Sequence, residues 1–252
     1  MTTPPEDAPV RVVRLERELA TARQALEDFT YSVSHDLRAS LRHVNSYLKI
    51  AREDLGDGLD PAIASHLDTA AGGASHMGRL IDGLMELSKV GRADMAWGDV
   101  DLGRLLADIR DQLQATTAGR DIRWSIAPDL PTVQADMALL AQMFRCLLDN
   151  AVQFTRSRPV AHIDIHASLL DGGMCELQIR DDGVGFDSRL HDRLFRVFQS
   201  LHSDKEFDGL GLGMGLALAR RVVERHGGSI RADGEPGKGC CISLRLPIAG
   251  AA

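Results

Sequence analysis

The chain has 252 residues, of which 44% are hydrophobic and 26% charged, and its formal net charge is -7. That supplies one sizeable core or two small ones, and the acidic balance argues against nucleic-acid binding. No run approaches the roughly 18 apolar residues of a bilayer-spanning helix, and the opening MTTPPEDAPV lacks a signal-peptide core, so a cytoplasmic protein needing no membrane contact is expected.

Residues 1–10 read as a disordered tail. Leu15, Leu19, Ala22, Leu26, Phe29, Val33, Leu37, Leu41, Val44 and Leu48 then recur at steps of three and four, the seam of one long helix over 11–54. The stretch DLGDGLDP, residues 54–61, breaks it. A second helix over 61–89 carries Ile63, Leu67, Ala70, Ala74, Met77, Leu84 and Leu87 on its apolar side. Gly72 and Gly73 weaken it by roughly 1 kcal/mol each, so packing must hold it. The two helices form an antiparallel hairpin, residues 11–89, which buries little alone. Two such hairpins make a four-helix bundle, which predicts a homodimer. His35 lies two residues from both Val33 and Leu37, about 200° round the helix from each, and should therefore be wet.

Residues 90–99 read as a hinge, and 100–249 as a second domain. Helices are predicted at 101–115, 136–154 and 215–226. Strands are predicted at IRWSIA (122–127), HIDIHASLL (162–170), MCELQIR (174–180), GSIRAD (228–233) and CCISLRL (240–246). The connection LLDGGMC favours a mixed or antiparallel sheet with helices on one face, which makes the whole chain α+β. Cys146, Cys175, Cys240 and Cys241 form neither a C-x-x-C pair nor a zinc-like spacing, which predicts buried free thiols.

Two glycine clusters stand out. IRDDGVGFD places Asp181, Gly183 and Gly185 just after a strand, and GLGLGMG places Gly209, Gly211, Gly213 and Gly215 before a helix. D-G and G-x-G also occur in ordinary surface turns. Four alternating glycines cost chain entropy, and their use is close backbone approach or a phosphate resting on exposed N–H groups. Neither cluster is a P-loop or a Rossmann fingerprint. The combination fits a carboxylate for an adenine amino group and a glycine-flanked lid over phosphates. Asn150, in MFRCLLDNAVQF, is the candidate oxygen ligand for Mg²⁺.

Together these pieces resemble the kinase core of bacterial sensor histidine kinases, with wording nearest the phytochrome-like group. FTYSVSHDLRASLR is similar to the family's H box, MFRCLLDNAVQF to its N box and IRDDGVGF to its first glycine box. LFRVFQSLH falls at the F box and GLGMGLALARRVVERHGG at the second glycine box. The resemblance implies a dimeric helical hairpin followed by a Bergerat-type ATP-binding α/β sandwich. It implies ATP-dependent autophosphorylation of His35, with Asp36 orienting the other ring nitrogen or taking its proton. It implies that Asp181, Gly183, Gly185, Asn150, Phe154, Gly211, Gly213, Gly215 and Leu216 bind ATP, and that Asn150 binds Mg²⁺. Arg196 and His202 either add positive charge to that site or are solvated loop residues. The implied partner is a response-regulator receiver domain. Residues 11–28 fit a coiled coil joining a sensor domain, and a complete kinase taking its input by association fits equally.

The chain departs from the family pattern at several positions. Ser40 replaces a usual proline, so the helix below His35 should keep its bond to the carbonyl of residue 36 and run straighter. Ala39 cannot position a water, which predicts weak phosphatase activity. Cys146 replaces a polar residue four before Asn150, on the same helix face. Gln153 replaces a common lysine, and the lid between Phe207 and Gly215 is about two residues longer than the family's. These changes favour an alternative, a dimeric adaptor or histidine phosphotransfer protein that uses ATP poorly. The intact Asp181-x-Gly183-x-Gly185 pattern opposes it. An anti-sigma kinase of the same ATP-binding fold is disfavoured by the long hairpin.

Overall fold

The computed structural model describes residues 8–56, 58–92, 94–198 and 213–250. The chain divides into two compact units, Met1–Arg92 and Ala93–Ala252.

The first unit is a helical hairpin. Helix α1 runs from Ala8 to Leu55 and α2 from Pro61 to Arg92. Residues 8–10, expected in a disordered tail, are thus helical, and 90–92, expected in a hinge, close α2. The buried and half-buried positions of α1 include Ser34, Arg38, Leu41, Asn45 and Leu48, a heptad seam facing α2. Val33, Leu37 and Val44 lie beside that seam and remain exposed in the single chain, Leu37 by 50%. The predicted stripe therefore splits: part packs on α2, and part is left without a cover. Arg38 pairs with Asp82 and Arg52 with Asp68 across the hairpin. At its open end Arg92 pairs with Asp28 at 3.0 Å and stacks over the Tyr31 ring at 5.0 Å. A methyl at Gly72 or Gly73 would meet no atom within 4 Å, so packing inside this chain does not demand those glycines. Helix α1 is uninterrupted through residues 36–40, and the Ser40 hydroxyl adds a bond to the Asp36 carbonyl at 3.2 Å.

The second unit is a two-layer α/β sandwich. Strands β1 (Trp97–Asp101) and β3 (Thr132–Asp136) form a small antiparallel sheet that the sequence reading missed. Each has only five residues, too few to display a period. Residues 97–99, read as hinge, are the start of β1. The main sheet has the order β2-β4-β5-β7-β6, with β2 (Asp121–Ile126), β4 (Val160–Leu170), β5 (Met174–Asp181), β6 (Ser229–Glu235) and β7 (Gly239–Pro247). Only β2 and β4 are parallel, and helix α4 (Met137–Phe154) lies in the crossover that parallel pairing requires. Helices α3 (Leu102–Thr116), α4 and α6 (Gly215–Arg225) bury their apolar faces with Ile163, Ile165, Leu177, Ile179 and Leu244. The other sheet face is polar, as period-two alternation dictates: His162, Asp164, His166 and Arg180 are exposed there. A short helix α5 (His191–Leu194) follows a 3₁₀ turn. All four cysteines are free, but of them only Cys175 is fully buried.

His226, at the end of α6, is buried and organises one end of this unit. Its Nδ1–H donates to the Val222 carbonyl at 2.7 Å, and Nε2 accepts the Asp136 N–H at 3.0 Å. Trp97 packs edge-on against the ring, with centroids 5.4 Å apart. The Asp136 carboxylate in turn caps α4 through the Leu139 N–H and holds the Ala96 N–H. Burial pushes the His226 pKa down, so the unfolded chain takes up its proton first. That histidine's contribution is complete above its ordinary value of about 6.5 and is lost as pH falls from there toward the folded value. Thermal melts should show a weaker loss of stability between pH 7.5 and 5.5 in His226→Gln than in wild type. Equal slopes would remove this account.

Candidate functional site

In the second unit, α4 supplies one wall of the site. Asp136 caps its start, and at its end Arg120 donates to the Val152 carbonyl at 2.6 Å and to the Thr155 hydroxyl at 3.2 Å. A cation at a helix C-terminus is electrostatically favourable. Between these anchors Cys146 and Asn150 share a face that meets the first turn of α6. A Cβ added to Gly215 would lie 3.5 Å from the Cys146 Cβ and 4.0 Å from the Asn150 side-chain amide. Burial and then the Asp149 charge push the Cys146 thiol up to about 11, so it is neutral and no base at neutral pH.

The loop after β5 closes against the end of α4. The Val184 N–H donates to the Phe154 carbonyl at 3.1 Å. A Cβ on Gly183 would sit 2.5 Å from that oxygen and 2.7 Å from Asp181 Oδ1, so only glycine fits. Gly185 has φ +62, and its missing Cβ would lie 2.0 Å from the Glu235 carbonyl oxygen at the end of β6. Asp181 is buried at the end of β5, where its Oδ1 accepts the Gly183 N–H at 2.9 Å. Desolvation pushes its carboxyl up to about 6, against the pull of N–H groups from Gly183 and Cys240. A desolvated carboxylate of this kind is suited to receive a donor from a ligand.

Contacts thus link Asn150, Phe154, Asp181, Gly183, Gly185 and Gly215. Gly213 has φ +62, a left-handed conformation glycine adopts without strain, and Leu216 is half-buried in the first turn of α6. Arg196 is exposed beyond α5. His202 and Gly211 lie outside the described residues, as does most of the 207–215 stretch. Arg158, His162 and Asp182 belong to the same end of this unit, and their contacts are marked by no motif in the sequence. Asp182 accepts the His162 N–H at 3.0 Å and meets its ring Nδ1 at 2.9 Å. These partners are distant in sequence and carry no local pattern.

In the first unit, His35 projects from α1 with 62% of its side chain exposed, and its Nδ1 lies 3.3 Å from Asp36 Oδ1. In the tautomer that donates Nδ1–H to Asp36, Nε2 keeps its lone pair.

Residues 135–250 match the histidine kinase-, DNA gyrase B- and HSP90-like ATPase family. Over 237 residues the chain is 31% identical to cyanobacterial phytochrome B of Nostoc sp., covering 93% of this chain and 31% of the relative. It is 30% identical to the methanogenesis regulatory histidine kinase FilI of Methanothrix harundinacea, covering 91% of this chain and 25% of that protein. The phosphate regulon sensor protein PhoR of Pseudomonas aeruginosa is 31% identical, with 88% and 50% covered. The chain therefore spans half or less of the length of these relatives. Among solved structures, full-length ShkA in complex with AMPPNP matches with a TM-score of 0.61 and 26% identity, over 88% of this chain and 46% of that one. The Acinetobacter baumannii histidine kinase AdeS shares the fold at a TM-score of 0.58 and 17% identity, over 86% and 98%. The chain is thus a homologue of the histidine kinases, and its residues 135–250 belong to the histidine kinase-, DNA gyrase B- and HSP90-like ATPase family.

Proposed function

We propose that this chain is the kinase core of a two-component sensor. It transfers the γ-phosphoryl group of ATP to His35 and then passes it to an aspartate of a response-regulator receiver domain. The observation that carries this reading is the joining, in one chain, of an ATPase-family unit to a hairpin that presents an exposed His35 held by Asp36. The uncovered apolar edge of α1, with Phe29, Val33, Leu37 and Val44, supports a homodimer in which a second hairpin covers it.

In this reading Asp181 accepts a hydrogen bond from the adenine amino group. Asn150 and the α6 N-terminus near Gly215 face the phosphates. Mg²⁺ takes oxygen ligands and is commonly shared between one or two protein donors, water and phosphates. Among the described residues no three His, Cys, Asp or Glu side chains gather into a metal cage, and the Asn150 side-chain amide, with its nitrogen toward Gly215, carries one oxygen donor. That donor set fits a cation carried largely by the nucleotide, with Asn150 as its protein ligand. When bound, the cation draws charge from the transferring phosphoryl group. His35 Nε2 forms the new N–P bond as the bond from the γ-phosphorus to the bridging oxygen breaks, and ADP leaves with that electron pair. The Nδ1 proton passes to Asp36 or to water, leaving a phosphohistidine with an uncharged ring and an anionic phosphoryl group.

Nucleotide affinity should depend on pH through Asp181. Below about 6 its carboxyl is protonated in the empty site. ATP affinity is expected to fall as pH drops from 7 to 5, by up to about tenfold per unit below that value. Empty-domain stability moves the opposite way at this residue, because the raised pKa makes the ionised form the costly one. Calorimetric titration across that range, with Asp181→Asn as control, checks it; the same pH slope in both proteins would sink it.

The activity is tested by incubating the protein with Mg²⁺ and γ-labelled ATP. Acid-labile, alkali-stable label supports the kinase reading. Nucleotide binding without label favours the adaptor.

A further inference from the structure

We propose that Arg158 is a positioning residue for purine recognition, whose guanidinium fixes the peptide that aims Asp181 at the base. The inference rests on the reading of the second unit as an adenine-nucleotide site.

Arg158 follows the end of α4, half-buried, in the loop before β4. Its Nε donates to the Asp182 carbonyl at 2.6 Å, and its Nη2 to the Gly237 carbonyl at 2.6 Å and the Gly183 carbonyl at 3.3 Å. Carbonyls from two loops, one after β5 and one between β6 and β7, thus converge on one planar fork. The Gly237 N–H donates back to the Val184 carbonyl at 2.7 Å and ties the same loops.

The peptide joining Asp182 to Gly183 is gripped from both sides. Its C=O accepts from Arg158 Nε, and its N–H donates to Asp181 Oδ1 at 2.9 Å. A trans peptide is rigid and directs C=O and N–H oppositely, so setting the carbonyl sets the N–H. That N–H occupies one carboxylate oxygen of Asp181 and orients the other for a ligand donor. Arg158 touches no ligand in this scheme; it acts through the peptide. A lysine carries the charge but offers a point ammonium rather than a fork, and cannot hold three carbonyls in this geometry.

The test uses the full chain with Mg²⁺, as wild type, Arg158→Lys and Arg158→Gln. Each is titrated with ATP and with purine ribonucleoside triphosphate, which lacks the 6-amino group. Far-UV circular dichroism and melting temperature report folding. Wild type is expected to prefer ATP by about tenfold or more, the worth of a hydrogen bond to a charged group. In the variants ATP affinity should fall toward that of the analogue, whose own affinity stays unchanged. Equal weakening of both nucleotides, a preserved preference, or unfolding of both variants would overturn the proposal. A wild-type protein that binds neither nucleotide would instead overturn the nucleotide-site reading itself.

Discussion

His35→Gln is expected to abolish all acid-labile, alkali-stable label while leaving nucleotide affinity at the wild-type level. Glutamine keeps helix propensity and polarity on an exposed face of α1, so neither the hairpin nor the ATPase unit loses packing. What it removes is a neutral ring nitrogen with a lone pair available for attack. Asp36→Asn isolates the second half of the argument. The Nδ1 to Oδ1 distance of 3.3 Å lets the carboxylate fix the tautomer and stabilise positive charge developing on the ring. An amide loses the charge and, in half its orientations, the acceptor. Autophosphorylation should slow by about 10² or more, the usual worth of a positioned acid–base partner. Label persisting in His35→Gln would place the acceptor elsewhere. An unslowed Asp36→Asn would leave the tautomer to solvent.

Gly185→Ala should cost the second unit about 3 kcal/mol or more and abolish nucleotide binding. Part of that is the left-handed backbone, about 1–2 kcal/mol for a residue with a Cβ. The larger part is overlap: at φ +62 the Cβ would lie 2.0 Å from the Glu235 carbonyl oxygen and 2.8 Å from that of Gly239. Both are backbone atoms, so no rotamer change relieves the clash. The β6–β7 turn must move away and break the bond from the Gly237 N–H to Val184. Gly172→Ala is the matched control, since it shares a positive φ of 76° but has nothing within 4 Å of its Cβ. Its loss should be limited to the backbone penalty. Comparable melting temperatures for the two variants would show that the close approach at Gly185 is not rigid.

The sequence by itself determined whatever rests on short-range periodicity and on residue types with one use. The seam from Leu15 to Leu48 declared the long helix, and alternation declared β4 to β7. The side chains proposed to carry the chemistry, His35, Asn150 and Asp181, with the glycines at 183 and 185, could be named from their motifs. Boundaries slipped at Ala8 and Arg92, where helix ends have no strong cap signal, and β1 and β3 were too short to register. Tertiary structure alone decided which part of α1's stripe α2 covers. Apolar residues that pack on a partner within the chain carry the same pattern as those left exposed. It alone decided that Asp181 is desolvated, that Gly183 and Gly185 lack room for a methyl, and that His226 is a buried bracket between Asp136 and Val222. Arg158 shows the physical reason most plainly. Its three carbonyl partners lie 24, 25 and 79 residues away in the chain, and backbone carbonyls have no letter in a sequence.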